Sequence, residues 1–257
     1  MAAARVVVLG AGFGGLELAT TLSEELGDGI DVTLIDSGDA FVFGYSKLDV
    51  MFGRTPLDAV RLPYSAIAKP GLRFVQERVT AIDPDRKSAM TDSSTYEADY
   101  LVVALGADYE FDHTPGLAEA NEFYSVAGAA RLAGVLPNFT TGRAVVGVCD
   151  APFKCPPAPS ECALLLHDHL TTRGVRDDCE IALVMPFGNP VPPSPDTSAA
   201  LLEAFAECGI EWVPGVRVSS VEADKAVLDD GSTQSFDLFL GVPKHRAPDV
   251  VQASGMA

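Results

Sequence analysis

One cysteine of this sequence stands where a reactive thiol is favoured. Cys155 lies between Lys154 and a pair of prolines, directly ahead of a helix that the sequence predicts over residues 160–172. A neighbouring cation and the amino-terminal end of a helix both favour the thiolate, which is the nucleophilic form of cysteine. The pattern indicates nucleophilic or redox chemistry at Cys155, with a structural thiol in a tight turn as the alternative.

A glycine-rich turn near the amino terminus predicts a dinucleotide site. Gly10, Gly12 and Gly15 follow an apolar strand predicted over residues 5–9 and open a helix. In such a turn the first glycine permits the tight bend, the second lets a diphosphate approach the backbone, and the third lets the helix pack closely. The next strand ends at Asp36, whose carboxylate is expected to bind ribose hydroxyls and to disfavour NADP. The motif fits FAD or NAD, and a glycine turn without a ligand is the remaining alternative.

A second α/β unit is predicted beyond residue 142, with strands at 144–148 and 180–185 on either side of a helix. Strands and helices that alternate twice over are typical of two layered α/β domains. The turn after the strand 144–148 has no GxGxxG pattern, and its prolines cannot donate amide hydrogens to a phosphate. We therefore expect no hydride transfer from NAD(P)H at this turn. The prolines are Pro152, Pro156, Pro157 and Pro159.

The charge balance argues against nucleic acid as a partner. The 257 residues include 36 acidic and 18 basic ones, a net charge of −18 at pH 7, so few cations could neutralise a phosphate backbone. The acid excess suits a high-salt cytoplasm. The amino-terminal residues lead directly into the first strand, so no secretory signal is expected, and no apolar stretch is long enough to span a bilayer. These features predict a cytoplasmic protein.

The other thiols and two neighbouring histidines are expected to be structural. A disulfide between Cys149 and Cys155 is an open alternative, although a buried Cys149 is favoured. His167 and His169 are two residues apart on a predicted helix and hence on different faces, so no metal site is expected. The thiols expected in the core are Cys162, Cys179 and Cys208.

The segment 151–161, with the sequence APFKCPPAPSE, resembles the cysteine motif of sulfide:quinone oxidoreductases and of the flavoprotein subunit of flavocytochrome c sulfide dehydrogenases. The resemblance covers essentially the whole chain. It implies an α/β fold of two Rossmann-like dinucleotide-binding domains, as in glutathione reductase, with FAD as the cofactor. The implied domains are an FAD-binding domain at 1–110, a second domain at 111–240 that carries Cys155, and the start of a return to the FAD domain at 241–257.

The resemblance also implies roles for particular residues. Cys155 corresponds to the cysteine that bonds to sulfur, and Glu161 to an acid that carries protons. The segment 101–107 resembles a strand and turn that many two-domain flavoproteins place against FAD, and Val79 lies on a strand resembling the one whose backbone touches adenine. The residues implied to bind FAD are Gly10, Gly12, Phe13, Gly14, Gly15, Asp36, Ser37, Val79, Ala104, Leu105 and Gly106.

The activity implied by this resemblance is oxidation of sulfide or a related sulfur compound at Cys155, with electrons passing through FAD to quinone or a cytochrome. Peripheral contact with the inner face of a membrane, through regions beyond this chain, and a homodimer are open expectations. Two alternatives remain: an NADH-dependent quinone or disulfide reductase, and a non-catalytic flavin-binding remnant. The chain departs from the family at Ser160, where an aromatic residue is common. It also ends at Ala257, ahead of the family's second flavin-binding segment, so we expect a truncated form.

Residues 41–70 are expected to be irregular, because several glycines and prolines interrupt any periodic pattern. Three aromatic residues of this segment, Phe41, Phe43 and Tyr45, are candidates either to line the flavin or to join the core. Lys47 is a candidate to lie near the flavin, and a surface position, the usual place of a lysine, is the default expectation.

Overall fold

A computed structural model describes residues 3–257. Its strands in chain order are β1 (Ala4–Leu9), β2 (Ile30–Asp36), β3 (Ala40–Val42), β4 (Arg61–Pro63), β5 (Leu72–Gln76), β6 (Val79–Asp83), β7 (Ser88–Thr91), β8 (Thr95–Glu97), β9 (Tyr100–Val103), β10 (Asp108–Glu110), β11 (Gly142–Val148), β12 (Cys179–Met185), β13 (Ile210–Pro214), β14 (Val218–Val221), β15 (Lys225–Leu228), β16 (Thr233–Ser235), β17 (Leu238–Val242) and β18 (Lys244–Arg246). Its α-helices are α1 (Phe13–Leu26), α2 (Ser46–Met51), α3 (Val126–Val135), α4 (Ala158–Thr172), α5 (Pro195–Glu207) and α6 (Asp249–Ala253). The chain forms two compact units: residues 3–43, 61–108 and 246–257 make the first, and residues 44–60 and 109–245 make the second.

The first unit is built on a four-stranded parallel sheet in the order β5-β2-β1-β9. Both faces of this sheet are covered, which explains why its strands are almost continuously apolar. Val6 and Val8 of β1 face the cluster that includes α1. Val7 and Leu9 face the opposite cluster, to which the antiparallel sheet of β6, β7 and β8 contributes. The predicted strand–helix–strand unit at the amino terminus is confirmed.

The sequence places Leu18, Leu22 and Leu26 on one face of helix α1. Leu18 and Leu22 are partly buried against the core, while the buried positions of the helix are Gly15, Ala19 and Ser23. Leu26 is 52% exposed. Small side chains let the helix axis approach the sheet closely, so the leucines lie at the sides of the contact rather than at its centre. Gly27 ends the helix with a positive φ of 51°, as the sequence predicts.

The second unit repeats the same strand order. Its parallel sheet has the order β13-β12-β11-β17. When the strands of each parallel sheet are numbered in chain order, both sheets have the order 3-2-1-4. The buried side of α4 packs against one face of the sheet through Cys162, Leu166 and Leu170. The three-stranded antiparallel sheet of β14, β15 and β16 packs on the other face. Two layered α/β units are therefore present, as predicted.

The segment predicted to be irregular contains regular structure. Residues 41–70 hold the strand pair β3 and β4 and the helix α2. Helix α2 belongs to the second unit, where its residues Leu48 and Met51 are buried in the large core cluster. A helix of this length gains its stability from tertiary packing, so local sequence does not reveal it. The predicted boundaries of the cofactor-binding domains, 1–110, 111–240 and 241–257, stay a prediction.

Candidate functional site

The glycine turn of the first unit contains two glycines that the protein's own packing requires. Gly10 has a φ of +96°, and a Cβ atom there would lie 2.4 Å from the carbonyl oxygen of Ala104. A Cβ atom on Gly15 would lie 1.8 Å from the carbonyl oxygen of Gly10. These contacts bring the end of β1, the start of α1 and the turn after β9 against one another. Larger residues cannot occupy either position without moving backbone.

The other two glycines of the turn have no such packing reason. A Cβ atom on Gly12 or on Gly14 would meet no protein atom within 4 Å. Gly12 is the N-cap of α1 with an ordinary φ of −76°, and no side chain caps the helix. The first amides of a helix lack intrahelical acceptors and favour an anion. The turn therefore fits a diphosphate that approaches the backbone at Gly12.

Asp36 at the end of β2 fixes this turn through two backbone amides. One of its carboxylate oxygens accepts a hydrogen bond from the amide of Ala11 at 2.7 Å, and the other accepts one from Gly38 at 2.7 Å. The hydroxyl of Tyr64 donates to the carbonyl oxygen of Ala11 at 2.7 Å. Burial and then Asp36 raise the pKa of Tyr64 to about 12, so this hydroxyl remains a donor. A carboxylate offers about four acceptor positions, so Asp36 retains the capacity to accept from ribose hydroxyls.

The other residues implied to bind FAD lie at several places in the first unit. Phe13 is 53% exposed and packs edge-on against Phe41 and Phe43, with ring centroids 5.1 and 5.3 Å apart. Val79 and Leu105 are half-buried and pack against the same hydrophobic cluster. The structure thus brings Gly10, Gly15, Asp36 and Ala104 together. The remaining implied residues are the exposed Ser37 and Gly106, the latter with a φ of +73°.

The corresponding turn of the second unit is longer and presents the thiol of Cys155. It connects β11 to α4 through residues 149–157. Cys155 has a φ of +55°, a left-handed conformation that is uncommon for residues other than glycine. The hydroxyl of the buried Tyr124 donates to the carbonyl oxygen of Lys154 at 3.0 Å. The amide of Ala158 donates to the carbonyl oxygen of Cys155 at 2.9 Å and starts the helix.

Cys155 opens onto a cavity of about 180 Å³ within the second unit. One wall comes from the Cys155 turn and the first turn of α4, and the facing wall comes from the start of α2. The lining combines thiol, carboxylate, ammonium and phenol groups with apolar surface. The lining residues are Gly44, Tyr45, Lys47, Leu48, Phe123, Tyr124, Lys154, Cys155, Ala158 and Glu161.

Two cavity residues from the start of α2 were not identified as thiol partners from the sequence. The side chain of Tyr45 is hydrogen-bonded to that of Cys155, and the charge on Cys155 is the main cause that raises the pKa of Tyr45. Lys47 is half-buried and donates to the carbonyl oxygen of Tyr124, so the expected surface position is wrong. Burial, followed by the charge of Lys154, lowers the pKa of Lys47. No local pattern signals these contacts, since the partners lie far along the chain.

The predicted proton carrier shares the cavity with Cys155. Glu161 lies in the first turn of α4 and is half-buried. Burial is the main cause that raises the pKa of its carboxyl, and the charge of Asp49 acts in the same direction. A carboxyl with a raised pKa releases and takes up its proton closer to neutral pH, as a proton carrier requires.

The other cysteines and the two neighbouring histidines lie outside the cavity of Cys155. All five cysteines are free thiols, so Cys149 and Cys155 form no disulfide. Burial raises the pKa of the Cys149 thiol to about 12 and also raises that of Cys162. His167 accepts a hydrogen bond from Arg176, and His169 packs against Phe52. Cys179 is buried in the core, whereas Cys208 is only half-buried.

The end of β11 carries a buried carboxylate where the first unit has its glycines. Asp150 is 8% exposed and pairs with Arg217 at 2.5 Å and with His113 at 3.0 Å. This negative charge and the adjacent prolines make the turn unfavourable for a diphosphate. Within residues 3–257, no group of three or more histidine, cysteine or acidic side chains is arranged to hold a metal ion. No helix in the same range has the length and apolar character needed to cross a membrane.

Two α/β units of identical strand order, one with a glycine fingerprint, define the two-dinucleotide-binding-domain class of flavoproteins. The family model for pyridine nucleotide-disulphide oxidoreductases matches residues 4–242, and the chain belongs to that family. The predicted fold class, the flavoprotein character and FAD as the cofactor are therefore confirmed at the level of the family and its relatives.

Within this family, the chain is similar to sulfide:quinone oxidoreductases over nearly its whole length and to an NADH:quinone oxidoreductase over a shorter part. The chain is 28% identical to the sulfide-quinone reductase of Aquifex aeolicus over 98% of its own length and 61% of that protein. The solved structure of the sulfide:quinone oxidoreductase from Aquifex aeolicus superposes with a TM-score of 0.87 at 26% identity, with the same two coverages. The type II NADH:quinone oxidoreductase of Staphylococcus saprophyticus is 33% identical over only 41% of the chain and 27% of that protein. The resemblance to sulfide:quinone oxidoreductases is confirmed, and the chain spans about three fifths of the length of these sulfide-oxidising relatives.

Proposed function

We propose that this chain belongs to an FAD-dependent oxidoreductase that oxidises sulfide or a related sulfur compound at Cys155 and delivers the electrons to quinone or a cytochrome. The observation that carries the proposal is the cavity that Cys155 shares with two phenols, a carboxylate and two ammonium groups. The similarity to a sulfide-quinone reductase over 98% of the chain supports the same reaction. The alternative of NADH as the donor has less support, because the turn after β11 carries Asp150 and prolines.

FAD would be held in the first unit by the glycine turn and Asp36. The diphosphate would lie over the amides at Gly12, and ribose would bind Asp36. Phe13, Gly14, Ser37, Val79 and the turn 104–106 complete the proposed FAD site. When bound, FAD supplies the capacity to accept the two electrons that sulfur oxidation releases.

The residues of the second unit would handle sulfur and protons. Formation of a sulfur–sulfur bond between the Cys155 thiolate and hydrosulfide releases one proton and two electrons. Lys47 and Lys154 favour an anion such as hydrosulfide in the cavity. Glu161 would take the released proton, which its raised pKa supports. Quinone contact, attachment to the cytoplasmic side of a membrane and dimerisation remain part of this proposal.

The test is an absorbance spectrum of the purified full chain before and after anaerobic addition of sulfide. We expect flavin absorbance in the wild type and its loss on addition of sulfide. Cys155→Ser should keep the flavin and lose at least 100-fold in the rate of reduction, because the covalent nucleophile is gone. Cys208→Ser is the matched control, since Cys208 is a half-buried free thiol outside the cavity.

Three outcomes would contradict the proposal. If sulfide reduces the flavin of Cys155→Ser as fast as that of the wild type, Cys155 does not react with sulfur. Reduction of the flavin by NADH but not by sulfide would favour the NADH-dependent alternative. A protein that retains flavin without reduction by either donor, or that retains none, would favour a non-catalytic role.

A further inference from the structure

Three aromatic rings of the second unit pack edge to face, and one of them lines the cavity of Cys155. The rings of Tyr109, Tyr124 and His245 form this aromatic platform. Their centroids lie 4.9 Å apart for His245 and Tyr109, 5.1 Å for His245 and Tyr124, and 6.4 Å for the two tyrosines. The hydroxyl of Tyr109 donates to the carbonyl oxygen of Tyr124 at 3.0 Å, and Nδ1 of His245 donates to that of Pro243 at 2.9 Å. These contacts fix the orientation of each ring.

The aromatic platform contacts two ammonium groups whose residues line the cavity. Nζ of Lys154 lies over the ring of Tyr109, 4.8 Å from the ring centroid, which is within the range of a cation–π interaction. Lys47 donates a hydrogen bond to the carbonyl oxygen of Tyr124. Lys154 is an exposed residue, and an exposed lysine has a flexible stem with many rotamers. The contact with the Tyr109 ring therefore restricts where the charge of Lys154 lies.

The aromatic platform itself is uncharged at neutral pH. Burial is the main cause that lowers the pKa of His245 to about 4, and the charges of Lys154 and Lys47 act in the same direction. Burial also raises the pKa of Tyr124, so its hydroxyl keeps its proton. The cations that line the cavity are therefore the two lysines, and they face one carboxyl group, that of Glu161. A cleft lined in this way concentrates anions beside the thiol.

We propose that Tyr109 is a positioning residue that holds the ammonium group of Lys154 beside Cys155 and so makes the cavity selective for small anions over neutral molecules. The face of the ring supplies this effect, because a cation–π interaction depends on the π electrons. The hydroxyl of Tyr109 has a separate partner, the carbonyl oxygen of Tyr124. The part of Tyr109 in catalysis rests on the proposed function, in which the anion is hydrosulfide, but the selectivity at the thiol does not.

The test compares two alkylating reagents at Cys155 in the full chain carrying Cys208→Ser. The remaining thiols are buried, so Cys155 is the accessible target, and mass spectrometry of the modified peptide verifies the position. Iodoacetate is an anion and iodoacetamide is its neutral analogue. Both reagents react with the thiolate, so the ratio of their rates is independent of the thiolate fraction and reports the local charge.

In Tyr109→Leu we expect the ratio of the iodoacetate rate to the iodoacetamide rate to fall about two- to fivefold, the size expected when one charge near the reagent moves into solvent. Lys154→Met should lower the ratio by at least as much, because it removes that charge. Both effects should shrink at about 1 M salt, since salt screens the ammonium group. Tyr109→Met is a second variant without a ring, and it should behave like Tyr109→Leu.

Tyr109→Phe is the matched control, because it keeps the ring and loses only the hydroxyl that donates to Tyr124. Its ratio should equal that of the wild type. A wild-type ratio in Tyr109→Leu and Tyr109→Met, or in Lys154→Met, would overturn the proposal. An equal fall in Tyr109→Phe and Tyr109→Leu would also overturn it, since the ring would then not be the cause. Because alkylation needs neither sulfide nor flavin, a failed sulfide reaction in the wild type would refute the proposed function and leave this inference standing.

Discussion

Each unit has a turn that connects the first strand of its parallel sheet to the following helix. The two sheets have the same strand order, but different kinds of groups hold the two turns in place. In the first unit the turn is three residues long, and it is held by glycines in contact with backbone and by Asp36. In the second unit the turn is nine residues long, and side chains hold it, chiefly Tyr124 and the ion pairs of Asp150. A turn of bare backbone leaves room for a diphosphate, whereas a turn held by side chains can present a nucleophile. One topology thus carries two turns of different length and construction.

The strongest test of this contrast is Gly15→Ala in the first turn. The new methyl group would lie 1.8 Å from the carbonyl oxygen of Gly10, so backbone must move. We expect a loss of about 3 kcal/mol or more in the free energy of unfolding, a fall in Tm on the order of 10 °C. Thermal unfolding followed by circular dichroism measures it.

Gly134→Ala is the matched control in the second unit, because a Cβ atom there meets nothing within 4 Å and the residue lies in helix α3. It should leave stability unchanged or raise it by about 0.4–1 kcal/mol. Equal stability of the two variants would show that close backbone contact does not hold the first turn.

A smaller effect is expected for Gly12→Ala. This variant separates a glycine that ligand binding requires from Gly15, which packing of the protein requires. Gly12 has an ordinary backbone conformation and open space at its Cβ position, so the fold should persist. The methyl group would occupy the approach of the diphosphate and weaken FAD binding by about tenfold or more, which corresponds to roughly 1.4 kcal/mol. Titration of the flavin-free protein with FAD, followed by fluorescence, measures the affinity.

Gly188→Ala supplies the comparison for this titration, since its Cβ position in the second unit is equally open. If Gly12→Ala and Gly188→Ala bind FAD with the same affinity, the diphosphate does not bind at the first turn.

The smallest effect is expected in the second unit, from Glu161→Gln in the first turn of α4. Burial raises the pKa of Glu161 in the folded chain, so ionisation of this carboxyl costs stability. Below the unfolded pKa of about 4.3 the carboxyl is protonated in both states, so it causes no loss of stability. The loss of stability grows as pH rises through the folded pKa and is complete above it. Glu161→Gln should therefore raise Tm at pH 7 by no more than about 2–4 °C and have no effect near pH 3. Calorimetry at both pH values measures this, and a variant that is less stable at pH 7 would contradict it.

The sequence was a good guide wherever local patterns determine structure. The apolar runs of β1, β2, β11 and β12 predicted both parallel sheets, and the spacing of Gly10, Gly12 and Gly15 predicted the turn. These features follow from hydrophobic periodicity and from the unusual backbone freedom of glycine. The inference that the prolines around Cys155 make the turn unsuited to a phosphate stays a prediction.

Features that depend on distant packing were not predicted. Helix α2 has no strong cap or period, and it forms because Leu48 and Met51 are buried beside residues from much later in the chain. For the same reason the contacts of Tyr45 with Cys155 and of Lys47 with Tyr124 were missed, since they join residues 110 and 77 positions apart. The small residues Ala19 and Ser23, buried in α1 beside the partly buried Leu18 and Leu22, were likewise not singled out from the sequence.

Tyr124 is hydrogen-bonded to two parts of the cavity lining, Lys47 and the Cys155 turn. Its carbonyl oxygen accepts hydrogen bonds from Lys47 and from the hydroxyl of Tyr109, while its own hydroxyl donates to the carbonyl oxygen of Lys154, next to Cys155. Because both contacts belong to one residue, Lys47 and the Cys155 turn share Tyr124 as a common anchor.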